Sequence, residues 1–150
     1  MHDVSMKQIF RGAFFLAIAS FGLHVVWERA HISLYRGYEA LEGFLPVYVY
    51  ATLGDVFYTF VGVLIATIFC GARLFRAPRL REYALLALIG LLIALFVEVK
   101  AQFLGRWQYS DAMPLIYGLG LSPLLQMTVL LPLSVFISTA IARHFRSDAV

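Results

Sequence analysis

Four groups of residues in this chain combine side-chain types and spacings that could do chemistry. The first is His24-x-x-x-Glu28-x-x-His31 followed by Tyr35, at offsets of four, seven and eleven residues. On a helix these positions share one face, so two imidazoles, a carboxylate and a phenol would line up over about three turns. At 1.5 Å per residue, His24 lies about 6 Å deeper than Glu28. The second group is Thr52-Leu-Gly54-Asp55-Val-Phe-Tyr58-Thr59, where a lone Asp follows a small residue that permits close helix approach. Asp55 needs a donor, and His24, His31 and Lys100 are the candidates. The third runs from Glu98 through Lys100, Gln102, Arg106, Trp107 and Tyr109 to Asp111, Met113 and Pro114. Trp107 and Tyr109 suit an interfacial aromatic belt, whereas Arg106 beside them could clamp a phosphate or carboxylate through two N–H groups. The fourth is Gly118-Leu-Gly120-Leu-Ser122-Pro123-Leu-Leu-Gln126. Ser122 suits a helix N-cap, Pro123 suits the first turn, and Gln126 points a neutral amide inward one turn later. The free amides of that helix start favour an anion.

Carboxylates and imidazoles brought together are the equipment of general acid–base chemistry. Each group also has a purely structural reading: His24 bonded to a neighbouring helix, Glu28 among headgroups, Asp55 bonded to Tyr or Thr hydroxyls. Two imidazoles and a carboxylate invite a metal as well, with His24, Glu28, His31 and Asp55 as the ligands. The spacing is not HExxH, however, and no second His-rich segment adds imidazoles. No cofactor is expected. The chain has no GxSxG, no P-loop and no GxGxxG, and its single cysteine, Cys70, excludes an internal disulfide and CxxC redox chemistry.

The elements that must position these groups follow from composition. Of 150 residues, 61% are hydrophobic and 14% charged, with a mean hydropathy of +0.82. A soluble domain is nearer 45–50% apolar and about 25% charged, so a water-soluble globule is excluded. Apolar runs at about 9–27, 48–70, 83–103 and 119–142 each approach the roughly 20 residues that span a bilayer core. They are continuous rather than alternating, so an all-α integral membrane four-helix bundle in one domain is expected, not a barrel. Lys7 and Arg11 ahead of the first run imitate a signal peptide, but the run continues into Trp27-Glu28-Arg29 without a small-x-small cleavage site, so it reads as a retained span.

Of the 12 basic residues, Lys7, Arg11, Arg73, Arg76, Arg79, Arg81, Arg143 and Arg146 belong to the side of both termini. The positive-inside rule makes that side cytoplasmic. The acids Glu28, Glu39, Glu42, Asp55, Glu98 and Asp111, six of the nine, fall on the opposite side, with His31, Lys100, Arg106, Trp27, Trp107, Tyr35, Tyr109 and Gln126. A bland anchor needs no such asymmetry. Glu28, Asp55, Glu98 and Gln126 come from four different spans at similar depth, so they should line one cavity with Trp107 near its mouth. No Lys/Arg run interleaved with aromatics supports nucleic-acid binding.

The motifs Trp27-Glu28 with Leu34-Tyr35, Gly54-Asp55, Glu98, Arg106-Trp107-x-Tyr109-Ser110 with Met113-Pro114, and Gly120-Leu-Ser122-Pro123-Leu-Leu-Gln126 resemble those of a group of small four-span bacterial membrane proteins without a settled activity. The resemblance covers about residues 20–132 and implies fold and membership more than function. Where that group carries His ahead of the Gly-Asp pair, this chain has Tyr50, which weakens a metal site carried over from it. In arrangement alone the chain is also similar to the emopamil-binding, sterol-isomerase-like membrane proteins. Their first span has His-x-x-x-Glu, here His24 and Glu28, and their later spans bring acids and a Trp to an intramembrane pocket for acid–base isomerisation.

Three functions compete. The first is an enzyme of the bacterial inner membrane, its site facing the periplasm, acting on a lipid or isoprenoid-like substrate. There Glu28, Asp55 and Glu98 exchange protons, with His24 and His31 tuned by them, because burial and neighbouring charges can hold such groups in different protonation states. Trp27, Trp107 and Tyr109 would hold an apolar or cationic intermediate, and Tyr35, Arg106, Ser122 and Gln126 would complete the substrate contacts. The second is an accessory subunit whose polar cluster binds a second copy or another membrane protein. The third is a small transporter, disfavoured because the inner half lacks polar residues and no inverted repeat is visible.

Overall fold

The computed structural model describes residues 6–37, 44–71 and 73–147. Four long helices form the bundle: α1 (Met6–His31), α2 (Val47–Cys70), α4 (Leu80–Phe103) and α5 (Leu121–Ser147), with a single-turn α3 (Arg73–Arg76) between α2 and α4. All four are long and apolar enough to cross a membrane. Their bounds follow the apolar runs except at α1, which continues four residues past Trp27. Hydropathy falls at Glu28-Arg29, but Glu, Arg and Ala are good helix formers, so the backbone ladder runs on to His31. A 3₁₀ turn (Ile32–Leu34) then takes over, and Tyr35 enters a short strand instead of extending the helical face.

Helix ends are locally specified. Pro46, at φ −56°, precedes α2, and Gly71 closes it by giving its N–H to Thr67 O. At the start of α4 the Glu82 carboxylate takes the Arg79 N–H at 2.8 Å, so one first-turn donor finds a side-chain acceptor. Glu82 is itself buried and bridged to Arg81 and Arg73. A buried carboxylate therefore does exist at the end that holds the termini, where the sequence pattern leads one to expect apolar residues and surface arginines alone.

In the bundle α5 packs against α1 and α4, and α2 packs against the same two helices from the other side. The core runs through Leu16, Val63, Leu86, Ile89, Met127, Leu131 and Val135, and Leu74 of α3 plugs it from below. Helices α4 and α5 touch at Gly90, where a Cβ would stand 2.3 Å from the Met127 carbonyl oxygen. The outward faces are apolar: Phe14, Ile18, Phe57, Leu64, Ile68, Leu88, Leu92, Phe96 and Phe136 are all exposed. A soluble protein does not display so continuous an apolar surface. The molecule is built as a multi-pass membrane protein, and four crossings place both termini at one end.

The other end carries a cap. Strand β1 (Tyr35–Arg36) pairs antiparallel with β2 (Gln108–Tyr109), Tyr35 opposite Tyr109, and the exposed Arg36–Asp111 ion pair closes the edge at 2.6 Å. This joins the loop after α1 to the loop after α4. A hairpin of β3 (Leu115–Ile116) and β4 (Leu119–Gly120) follows, turned by Tyr117 and Gly118 at φ 50° and 81°. Positive φ at both central residues is the turn that matches strand twist, and Gly118 adopts it freely. Leu121 N–H then bonds Pro114 O at 2.8 Å, delivering the chain into α5.

Candidate functional site

The polar residues of the capped end meet around Gln126. This side chain, 3% exposed on the first turns of α5, places Nε2 2.8 Å from Glu28 Oε1 of α1, 2.7 Å from Asp55 Oδ2 of α2 and 3.1 Å from His24 Nδ1 of α1. An amide NH₂ has two hydrogens, so three acceptors cannot all be served. One of the three must carry its own hydrogen. His24, fully buried, also lies 3.2 Å through Nε2 from Thr59 Oγ1, and its Nδ1 is 3.5 Å from Asp55 Oδ2.

One assignment gives every hydrogen an acceptor. Thr59 donates to His24 Nε2, His24 Nδ1–H points at Asp55, and Gln126 donates to Glu28 and Asp55. On the far side His31 Nε2 lies 3.2 Å from Glu28 Oε1 and its Nδ1 lies 2.7 Å from Ser122 Oγ. Ser122 then donates to His31 Nδ1, and His31 Nε2–H donates to Glu28. Ser122 was expected to cap α5; its hydroxyl serves His31 instead, because the helix begins one residue earlier, at Leu121. The Gln126 amide thus bridges the Glu28 and Asp55 carboxyl groups and holds them side by side.

Glu98, 2% exposed on α4, forms the second half of the site. Gly120 N–H donates to Tyr109 Oη at 3.0 Å, which fixes the phenol so that its own proton goes to Glu98 Oε2. Burial and the Glu98 carboxylate together raise the Tyr109 pKa above the ordinary phenol value. The buried indole N–H of Trp107 lies beside the same carboxylate, outside ordinary hydrogen-bond geometry. Tyr35 packs edge-to-face with His31 and Trp107 and tilted against Tyr109, at centroid distances of 5.4, 6.2 and 5.8 Å, so the cap seats three rings over the bundle.

Between these halves is a cavity of about 280 Å³. Glu28, Asp55, Glu98 and Gln126, one from each long helix, all line it, as do Tyr35, Arg106 and Trp107 from the cap. Its remaining wall is Ala51, Gly54 and Tyr58 of α2, Ile93, Ala94 and Val97 of α4, and Pro123 and Met127 of α5. A Cβ added at Gly54 would meet no atom within 4 Å. Nothing in one sequence marks Ile93, Val97 and Met127 as cavity-lining, since they read as ordinary core. Thr59 and Tyr58 were legible, being one turn from Asp55 on the same helix.

Several expected residues stand behind the cavity rather than in its wall. His24, His31 and Tyr109 hold the lining carboxylates, Ser122 holds His31, and Trp27 packs edge-on against His31 at 6.5 Å. Lys100 is not a partner of Asp55; it is exposed, with its ammonium over the Phe96 ring. Asp111 pairs with Arg36 on the cap surface, and Glu39 and Glu42 lie outside the described residues. Among the described residues no three His, Cys, Asp or Glu side chains are grouped to hold a metal ion. Between Glu28, Asp55 and His24 sits the Gln126 amide. No protein-family model matches the chain, and no curated protein or solved structure is significantly similar to it.

Proposed function

We propose that this protein is an intramembrane enzyme that performs acid–base chemistry on a lipid or isoprenoid-like substrate. Glu28, Asp55 and Glu98 are its proton donors and acceptors, and the cavity opens toward the periplasmic leaflet of a bacterial inner membrane. The observation that carries this reading is the Glu28–Asp55 pair at the wall of a 280 Å³ cavity. Two carboxyl groups bridged by one neutral amide stand close enough for one to serve as acid and the other as base. A surface that only docks a partner needs neither that pairing nor a hollow behind it. The apolar wall of Ile93, Ala94, Val97 and Met127 suits hydrocarbon, and buried polar groups would be retained at this depth only with partners. His24 and Gln126 act as positioning residues that orient Glu28 and Asp55.

The test compares membranes of a deletion strain complemented with the wild type, Asp55→Asn, Glu28→Gln and Gly54→Leu. The lipid species that changes on deletion is the readout, and immunoblotting gives the abundance of each variant. The amide variants keep size and hydrogen bonding but exchange no proton, so their turnover should fall about 100-fold or more. Gly54→Leu fills the cavity without displacing any acid, and should abolish turnover at normal abundance. Full activity of all three variants would overturn the enzyme reading in favour of the accessory subunit, which predicts loss of a co-purifying partner instead.

A further inference from the structure

The charges around the cavity are arranged by position. Three carboxyl groups, Glu28, Asp55 and Glu98, face its interior, and the only cationic lining residue, Arg106, comes from the cap. The interior is therefore acidic. Glu28 receives its N–H donors at Oε1, Asp55 at Oδ2 and Glu98 the Tyr109 hydroxyl at Oε2, so among the described residues no N–H or hydroxyl donor is placed on Glu28 Oε2 or Asp55 Oδ1. Arg106 is exposed and forms no ion pair among the described residues. An acidic interior with unused acceptor oxygens suits a donor-rich cation, and an unpaired guanidinium at the cap suits a phosphate. The aromatic rings of Tyr35, Tyr58 and Trp107 between them favour a cation over an anion.

We infer that the cavity receives the headgroup of a phospholipid bearing a primary ammonium, with the ammonium among Glu28, Asp55 and Glu98 and the phosphate on Arg106. This rests on the cavity being a lipid site, as proposed above, and specifies its substrate class. A primary ammonium has three N–H donors, which a trimethylated one lacks. An anionic glycerol headgroup offers no charge to the carboxylates. Ile93, Val97 and Met127 present no polar group and face the start of the hydrocarbon.

The test uses the purified full chain in a neutral maltoside detergent, with lysophosphatidylethanolamine, lysophosphatidylcholine and lysophosphatidylglycerol as lipid probes and dodecylamine as a phosphate-free ammonium. The chain has two tryptophans, so in Trp27→Phe the fluorescence comes from Trp107 at the cavity wall alone. The ethanolamine lipid should give a saturable change at concentrations about ten-fold or more below the other two. Glu98→Gln should weaken the ethanolamine lipid about ten-fold and leave the glycerol lipid unchanged, whereas Arg106→Gln should weaken both phospholipids and spare dodecylamine. Equal binding of the glycerol and ethanolamine lipids, or indifference of the ethanolamine lipid to Glu98→Gln, overturns the ammonium assignment. If Gly54→Leu still abolishes that unselective binding, the cavity remains a lipid site and only the headgroup is wrong. Absence of binding by every probe overturns the assignment, and full turnover by Gly54→Leu would then remove the lipid site as well.

Discussion

A neutral amide at the centre of an acidic cluster does what neither a carboxylate nor a cation could do there. A carboxylate at position 126 would add a further like charge beside Glu28 and Asp55, and an ammonium would fix a permanent protein cation between them. Gln126 satisfies two acceptors without changing the charge. The same economy applies at Tyr109, whose phenol bridges Gly120 N–H and the Glu98 carboxylate. Its pKa is raised by burial first and by Glu98 second, so the neutral phenol is the form the fold favours. A raised pKa contributes stability that is fully present below the unfolded value near 10 and is lost as pH rises through the folded value. Thermal unfolding in detergent should therefore show Tyr109→Phe less stable than wild type by about 1–3 kcal/mol at pH 8, the cost of a lost bond to a charged group. The gap should narrow above about pH 10, where the phenol of the unfolded wild type ionises while the folded one, held neutral beside Glu98, does not. A gap that stays constant to high pH would show that the phenol does not titrate against that carboxylate.

At the scale of elements, the site depends on how closely helices approach. Gly90 lets α4 lie directly on the backbone of α5 at Met127, one residue beyond Gln126 and two turns before Glu98. Helix propensity alone favours Ala over Gly by about 1 kcal/mol. Contact decides the opposite sign, because a methyl 2.3 Å from a backbone oxygen cannot be relieved by turning a side chain. Gly90→Ala should lower stability by about 1–3 kcal/mol through overpacking and separate Glu98 from Gln126. The check is a thermal melt in detergent beside Gly54→Leu, which meets open space and should melt near wild type; an unchanged Gly90→Ala melt would refute the close contact. The short cap strands matter in the same way. Two residue pairs of β1 and β2 are too few to be stable alone, but they tether the ends of α1 and α4 and hold Tyr35, Trp107 and Tyr109 over the site.

For the whole molecule, the asymmetry between the two ends is the main feature. One end carries the termini, the Arg73–Arg81 segment and the capped, buried Glu82; the other carries the strands, the cavity and most of the acids. With eight of 12 basic residues on the side of the termini, a phosphatase or fluorescent reporter fused after Val150 should report a cytoplasmic C-terminus. A periplasmic signal would turn the cavity toward the other leaflet while leaving its chemistry as described.

Composition and pattern alone determined the fold class. Continuous apolar runs of bilayer length have one stable solution, a helix with its backbone bonded to itself, and that physics is local to each run. The convergence of Glu28, Asp55, Glu98 and Gln126 was legible for the same reason: polar residues at matching depth on four spans have little choice but to face inward. Their partners were not legible. Whether Asp55 found Gln126 or Lys100, whether Ser122 capped a helix or bonded His31, and whether Tyr35 stayed on the helical face all turned on interhelical distances and on a cap made by pairing residues more than 70 positions apart. Hydrogen bonds depend on placement to within a few tenths of an ångström, and no periodicity encodes that. The cavity belongs to the tertiary structure for the same reason: it is the volume left where Gly54 leaves open space and the apolar side chains of α4 and α5 stop short, a property of packing rather than of any one segment.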